Sequence, residues 1–342
     1  MILFRCSADA TTGFGHLARC RALAAALASE GIAVSMAGPN HAARQASDKQ
    51  LFANWFEMPA DRDSKADASM LSGFARKIGS RMLVIDDYRV DETYQGVLRH
   101  EGLRWLQFQS PNGQSIWSDL VLHANPAVSS ADYAGMLRNS ATRLLLGPRY
   151  ALLRAEFGRA AARRRKGGTA RQVMLAFGAG DDRGAIQRTF PPLLTAAPPD
   201  MRFVVVSGVH NPNNAALVDW LRTVGDGRVT FLIDPPNLIE IMQASDIAVT
   251  SGGTLTYELA ACGVAMLILA VSDNQLEAAA WEKQGAAIFL GPMAALMDQR
   301  LTDCFAALCR WADARDRMGK RAAQLVDGQG ARRVAQILDE AI

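Results

Sequence analysis

Cysteine is scarce in this sequence and does not pair. Cys6, Cys20, Cys262, Cys304 and Cys309 form an odd set with no CxxC spacing. That argues against a disulfide framework and against a zinc site of the usual ligand spacing, and it suits a reducing compartment. Long apolar runs are missing too. None is long enough to span a bilayer, and the residues after Met1 turn polar too soon for the apolar core of a signal peptide. Net charge is only +3 over 342 residues. The one basic run, Arg163 to Lys166, has no interleaved aromatics, so it reads as solvated linker and not as a nucleic-acid surface. The expectation is a monomeric cytoplasmic protein with no nucleic-acid partner and no membrane insertion.

What is present is an alternating grammar. Apolar residues make up 49% of the chain and charged residues 21%, as in ordinary globular proteins, and 342 residues are enough for two cores. In the first half "ILFRCSA", "IAVSMAG", "MLVIDD", "RWLQFQ", "DLVLHA" and "RLLLG" predict strands, and Leu17 to Ser29 predicts a helix. In the second half "RQVMLAFG", "RFVVVSG", "RVTFLID", "DIAVTSG", "AMLILAV" and "AAIFLG" repeat the pattern. Strands that are apolar on both faces and separated by helices imply parallel sheets covered on both sides. The basic stretch "RAEFGRAAARRRKGGTA" joins the halves. The expected architecture is α/β with two Rossmann-like domains, residues 1–160 and 167–342, meeting near Gly167 and facing a central cleft. The stretch from Arg310 is expected to be helical, its last helix packing back on the first domain. Ligands of such sheets bind at the carboxyl ends of the strands, so the loops after strands hold the candidate chemistry.

Four loops stand out. The first, Asp9 to His16, has Gly13 and Gly15 ahead of a helix. Such glycines let the backbone turn tightly and approach a ligand, and the helix start offers free N–H groups. They also suit a plain strand-to-helix turn, and His16 equally suits a cap or a packing role. The second, "VIDDYRVD", puts Asp86, Asp87 and Tyr88 at a strand end. Adjacent carboxylates on a strand point in different directions, so they make a poor metal pair but can hold a ligand hydroxyl, a histidine or a helix cap. The third, "AFGAGDDRGAI", places Gly178 and Gly180 before Asp181 and Asp182. It reads as a phosphate-type turn or a helix cap; an aspartate would repel phosphate, so one of the pair is expected to cap the helix. The fourth carries the most signal. "TSGGTLTYE" gives Ser251, Gly252, Gly253 and Thr254 at a helix start, an anion-binding pattern. Glu258 follows one turn on and suits a ribose diol. Asp273, Asn274 and Gln275 then line the end of the next strand.

Read together, these loops resemble the GT-B nucleotide-sugar proteins, among them the lipid-linked N-acetylglucosaminyltransferase of peptidoglycan synthesis. The shared features are "TTGFGH", "TSGGTLTYE", "SDNQ" and "EKQGAA". A closer resemblance is to the UDP-2,4-diacetamido-2,4,6-trideoxy-β-L-altropyranose hydrolases of pseudaminic acid biosynthesis. The matching segments, in order, are "RCSADATTGFGHLARC" (with extra length near Ala8), "VIDDYRVD", "LLLGPRYALLRAEF" and "SDNQ". "GPRYALLRAEF" is the specific one, since it is no generic nucleotide-binding signature. Departures fall at "FGAGDD", where that family has G-G-S-D, and at Gly253-Thr254, where it often has Ser.

The resemblance implies an inverting, metal-independent and cofactor-free hydrolase that breaks the anomeric C–O bond and releases UDP. It implies His16 as the base that activates water, with Tyr88 and Asn274 near the sugar and Asp87 as a further catalytic residue. Asp9, Asp86 and Asp87 are the alternatives for the group that orients His16. Gly13, Gly15, Gly178, Ser251, Gly252, Gly253, Thr254, Glu258, Asp273 and Gln275 are the expected UDP-sugar contacts. A GT-B glycosyltransferase with a UDP-sugar donor, a non-enzymatic nucleotide-sugar binding module and a hydrolase for another diacetamido sugar, such as the legionaminic acid precursor, are the other readings.

Overall fold

The computed structural model describes residues 1–8, 14–59, 62–108, 112–159 and 168–341. Asp9, Gly13, the basic run and Gly167 lie outside them. The chain divides into two compact units. One comprises Met1–Ala124, Val128–Ala155 and Gln329–Ile342; the other comprises Asn125–Ala127 and Glu156–Gly328.

In the first unit the elements run β1 (Ile2–Cys6), α1 (Gly15–Ser29), β2 (Val34–Gly38), α2 (Asp48–Leu51), β3 (Trp55–Glu57), α3 (Ser64–Ile78), β4 (Met82–Asp86), α4 (Glu92–His100), β5 (Arg104–Phe108), β6 (Leu120–His123) and β7 (Arg143–Leu146). The seven strands form a sheet of order β3-β2-β1-β4-β5-β6-β7, and every pair is parallel. Side chains alternate between its faces. Ile2, Phe4 and Cys6 join one apolar layer, with Leu17, Leu23 and Leu27 of α1. Leu3 joins the other, with Leu71 and Ala75 of α3 and Leu98 of α4. Both faces are therefore apolar, which is why these strands show as continuous runs.

Strand β3 was not expected from the sequence. It is three residues long at the sheet edge, too short to carry a period, and is held by the Trp55 Nε1–H donating to the Pro39 carbonyl at 3.0 Å.

The second unit runs β8 (Gln172–Ala176), α5 (Ala185–Ala196), β9 (Arg202–Ser207), α6 (Asn214–Val224), β10 (Val229–Ile233), α7 (Leu238–Ala244), β11 (Ile247–Ser251), α8 (Leu255–Ala261), β12 (Ala265–Ala270), α9 (Ala279–Lys283), β13 (Ile288–Pro292), α10 (Asp298–Arg310) and α11 (Ala312–Leu325). Its six-stranded sheet has the order β10-β9-β8-β11-β12-β13, again parallel throughout. The helical stretch expected from Arg310 is interrupted. The α10 helix ends there, Trp311 is extended, and α11 and then α12 (Gly330–Ala341) follow. Helix α12 belongs to the first unit, where Val334, Ala335 and Leu338 share a core with Leu17 and Cys20 of α1. Among the described residues no helix is long and apolar enough to cross a membrane.

Candidate active site

Each sheet reverses its strand order once, between β1 and β4 in the first unit and between β8 and β11 in the second. A parallel sheet opens a crevice at its carboxyl edge there, because the crossovers on either side leave in opposite directions. His16 follows β1, and Asp87 and Tyr88 follow β4. Gly178 follows β8, and Gly252 to Thr254 follow β11.

His16 is the second residue of α1 and is 7% exposed. Its Nδ1 lies 2.8 Å from Asp86 Oδ1, at the end of β4. Its Nε2 lies 3.2 Å from the Tyr88 hydroxyl, and the two rings meet edge to face at 5.0 Å. Arg19, one helical turn beyond His16, grips the same carboxylate: its Nη2–H donates to Asp86 Oδ1 at 2.6 Å and its Nε–H to Oδ2. Burial alone would push the Asp86 carboxyl up, but the Arg19 charge and the His16 ring hold it below the usual carboxylate range. An ionised Asp86 only accepts, so Nδ1 carries the ring proton and Nε2 carries the lone pair. The basic nitrogen thus faces Tyr88, which is 73% exposed.

The expected divergence of the two carboxylates holds, and it separates the candidates for orienting His16. Asp86 meets the ring. Asp87 faces a different network, in which it accepts from Arg89 Nη2 at 2.8 Å and from Ser7 Oγ at 2.6 Å, with Arg5 Nη2 at 3.2 Å. Burial opposes its charge, yet Arg89, Arg5 and Ser7 hold its carboxyl far below the usual range. This network has a second carboxylate that sequence reasoning missed. Arg5 of β1 donates to Asp67 of α3 from Nε at 2.9 Å and from Nη2 at 2.8 Å, and the Tyr94 hydroxyl donates to Asp67 at 2.9 Å. Arg5 and Asp67 are 1% and 0% exposed. The available signal was an arginine inside the apolar run "ILFRC", which alternation places on the face covered by α3.

In the second unit several sequence-selected groups bond to the scaffold. Ser251 Oγ donates to the Phe177 carbonyl at 3.1 Å, joining the ends of β11 and β8. Gln275 Oε1 accepts from Gly252 N at 3.2 Å and Val271 N at 3.1 Å, clipping the ends of β11 and β12 together. Asn274 Oδ1 accepts from Ser272 Oγ at 2.6 Å, and Asn274 and Asp273 are exposed. Thr254 precedes α8, and Glu258 is half-buried within that helix. Gly178 has φ +110, a conformation that favours glycine. Asp182 does cap: its Oδ2 accepts from Ile186 N in the first turn of α5 at 2.9 Å. Among the described residues no three His, Cys, Asp or Glu side chains cluster as a metal site.

Gly252 and Gly253 differ in kind. A Cβ on Gly252 would stand 2.7 Å from Ala278 Cβ and 2.8 Å from the Gln275 carbonyl, whereas a Cβ on Gly253 meets only Ser251 Oγ at 3.9 Å. Gly252→Ala is therefore expected to destabilise the fold by about 1–3 kcal/mol, as overpacking does, and Gly253→Ala to leave the urea midpoint in place. Equal midpoints for the two variants would show that the turn at Gln275 yields freely.

No protein-family model matches the chain. The spore coat polysaccharide biosynthesis protein SpsG of Bacillus subtilis is 28% identical over 242 residues, 68% of each protein. An uncharacterized protein of Methanocaldococcus jannaschii is 23% identical over 207 residues, 59% of this chain but only 43% of that protein's length. Among solved structures, Acinetobacter baumannii MurG superposes with a TM-score of 0.66 at 13% identity, over 99% of both chains. UDP-GlcNAc 2-epimerase of Neisseria meningitidis, bound to UDP-GlcNAc, superposes with a TM-score of 0.61 at 12% identity, over 99% of this chain and 100% of its own. The fold is GT-B-like. It consists of two parallel-sheet α/β domains, as the sequence led one to expect.

Proposed function

We propose that this chain hydrolyses a UDP-2,4-diacetamido-2,4,6-trideoxy hexose at the anomeric C–O bond, releasing UDP and the free sugar on the route to pseudaminic acid. The observation that carries the reading is the histidine held by a buried carboxylate at the switch point of the first sheet, with its basic Nε2 facing an exposed tyrosine. A GT-B-like fold, a neighbour bound to UDP-GlcNAc and a relative in polysaccharide biosynthesis support it, as does the "GPRYALLRAEF" segment. The protein acts as a cytoplasmic monomer in this reading.

UDP is a good leaving group, so the step needs a nucleophile more than a strong acid. Water attacks the anomeric carbon from the face opposite the diphosphate, with inversion. The C–O bond to the diphosphate breaks and its electron pair leaves with UDP. His16 Nε2 takes the proton from the water, and the resulting imidazolium is balanced by Asp86. Tyr88 and Asn274 hold the sugar or the water, and Asp87 keeps the β4 loop in place. No metal is needed. The Gly252 N–H is taken by Gln275 Oε1, so the backbone at Gly253 and Thr254 stabilises the departing charge, and Glu258 holds the ribose.

Incubation with candidate UDP-diacetamido sugars in ¹⁸O-labelled water tests this. Label in the free sugar with UDP release is the expected result; label in the phosphate, or no release, rejects it. The glycosyltransferase reading, favoured by the MurG likeness, requires that the nucleotide sugar survive in water and be consumed only with an acceptor. Glu258→Ala is expected to raise KM about tenfold, the loss of one charge-assisted hydrogen-bonding group. An unchanged UDP affinity in that variant would remove Glu258 from the ribose.

A further inference from the structure

We infer that Arg19 is a positioning residue that sets the tautomer of His16 by locking the plane of Asp86. The inference rests on the reading of His16 as the water-activating base. Arg19 and His16 are three residues apart on α1, so one helical turn puts them on the same side. The guanidinium lays two parallel N–H bonds on Asp86, Nε to Oδ2 at 2.5 Å and Nη2 to Oδ1 at 2.6 Å. It also lies over the Phe108 ring, 4.8 Å from the centroid, which fixes its own plane. A fork of this kind defines both position and rotation of a carboxylate.

Asp86 is 1% exposed. With both Arg19 bonds made, Oδ1 lies 2.8 Å from His16 Nδ1, beside the Asp86 backbone carbonyl at 3.2 Å, and both accept. Nδ1 must then carry the proton. Remove Arg19 and the buried carboxylate loses its counter-charge, becomes free to rotate and is more readily protonated. A carboxyl that takes up a proton from solvent donates to Nδ1 instead, and the ring's own proton then sits on Nε2. That nitrogen can then no longer accept a proton from water. Asp87 cannot substitute, because Arg89, Ser7 and Arg5 occupy it.

The arrangement makes lysine a poor replacement. Its ammonium supplies the charge but not the planar fork. Arg19→Gln is expected to lower kcat by about tenfold to a hundredfold, the size found for outer partners that orient a reacting group, with KM little changed. Arg19→Lys is expected to recover part of the loss.

Ring ¹⁵N chemical shifts of histidine-labelled protein read the tautomer without any substrate. The chain has 5 histidines, so the His16 signals are assigned by their absence in His16→Ala. Wild-type protein is expected to show Nδ1–H at His16, Arg19→Gln a mixture or the Nε2–H form, and Arg19→Lys an intermediate pattern. An unchanged Nδ1–H signal in Arg19→Gln overturns the inference. The Arg19 side chain is 30% exposed, so the glutamine variant is expected to fold. If it does not, Arg19→Lys decides alone, with wild-type tautomer and kcat counting against Arg19. If wild-type protein turns over none of the nucleotide sugars, the proposed function fails, while the tautomer still judges Arg19.

Discussion

Replacing His16 with alanine is expected to lower kcat by about 10²–10⁴-fold while UDP binding survives, the usual size of a lost general base. The loss is large because none of the described neighbours can take over. Asp86 lies behind the ring, buried and ionised between Arg19 and Nδ1, and a carboxylate held below its usual range is a weak base. Tyr88 is the group in front, its hydroxyl 3.2 Å from Nε2, and a phenol O–H is a donor and not a base. Asp87 is bound by Arg89 and Ser7. Nucleotide affinity is expected to survive because the groups assigned to UDP, from Ser251 to Gln275, belong to the second unit. Single-turnover rates with the nucleotide sugar, set beside a UDP titration, check both halves of the expectation. Near-normal turnover would sink the assignment of His16. Lost UDP binding would mean that the substitution had disturbed more than the base.

Replacing Asp67 with alanine is expected to lower the unfolding free energy by about 3–5 kcal/mol, the range for removing one partner of a buried ion pair. Arg5, Arg89, Asp67 and Asp87 now balance as two positive and two negative groups. Without Asp67, two arginines share Asp87 alone, and Arg5 is 1% exposed. Arg5 would keep its bond to the Cys6 carbonyl at 2.6 Å but lose both bonds to the carboxylate. The Tyr94 hydroxyl, now donating to Asp67 at 2.9 Å, would lose its acceptor as well. Urea denaturation measures the loss, and Asp67→Asn should fall between wild type and alanine because it keeps an acceptor but no charge. A change under about 1 kcal/mol would place these charges in contact with water and make them an ordinary surface network.

The two parallel sheets were legible because burying both faces of a strand leaves a continuous apolar run, and "MLVID" or "AMLILA" can hardly be anything else. Strand β3 was illegible because three edge residues carry no period. The break at Trp311 within the terminal helical stretch was illegible for a related reason: apolar spacing continues across it, and only the extended backbone there shows the stop. The packing role of Gly252 was illegible as well: its Cβ position is closed off by Ala278 and Gln275, a contact between segments more than twenty residues apart.

The sequence by itself determined the chemistry available at each strand end. It set a histidine at the mouth of the first helix, a carboxylate pair at the end of β4, and a Ser-Gly-Gly-Thr turn and polar loop in the second half, because residue type and order along a parallel sheet follow from local pattern. Tertiary structure alone decided which described aspartate meets His16. Neighbours on a strand point to opposite faces, so one carboxylate had to turn toward α1 and the other toward Arg5 and Arg89. Only the folded chain says which. The same holds for Asp67, 62 residues from the arginine it neutralises: no local pattern marks it, and the pair exists because α3 packs across the face of the sheet onto which Arg5 points.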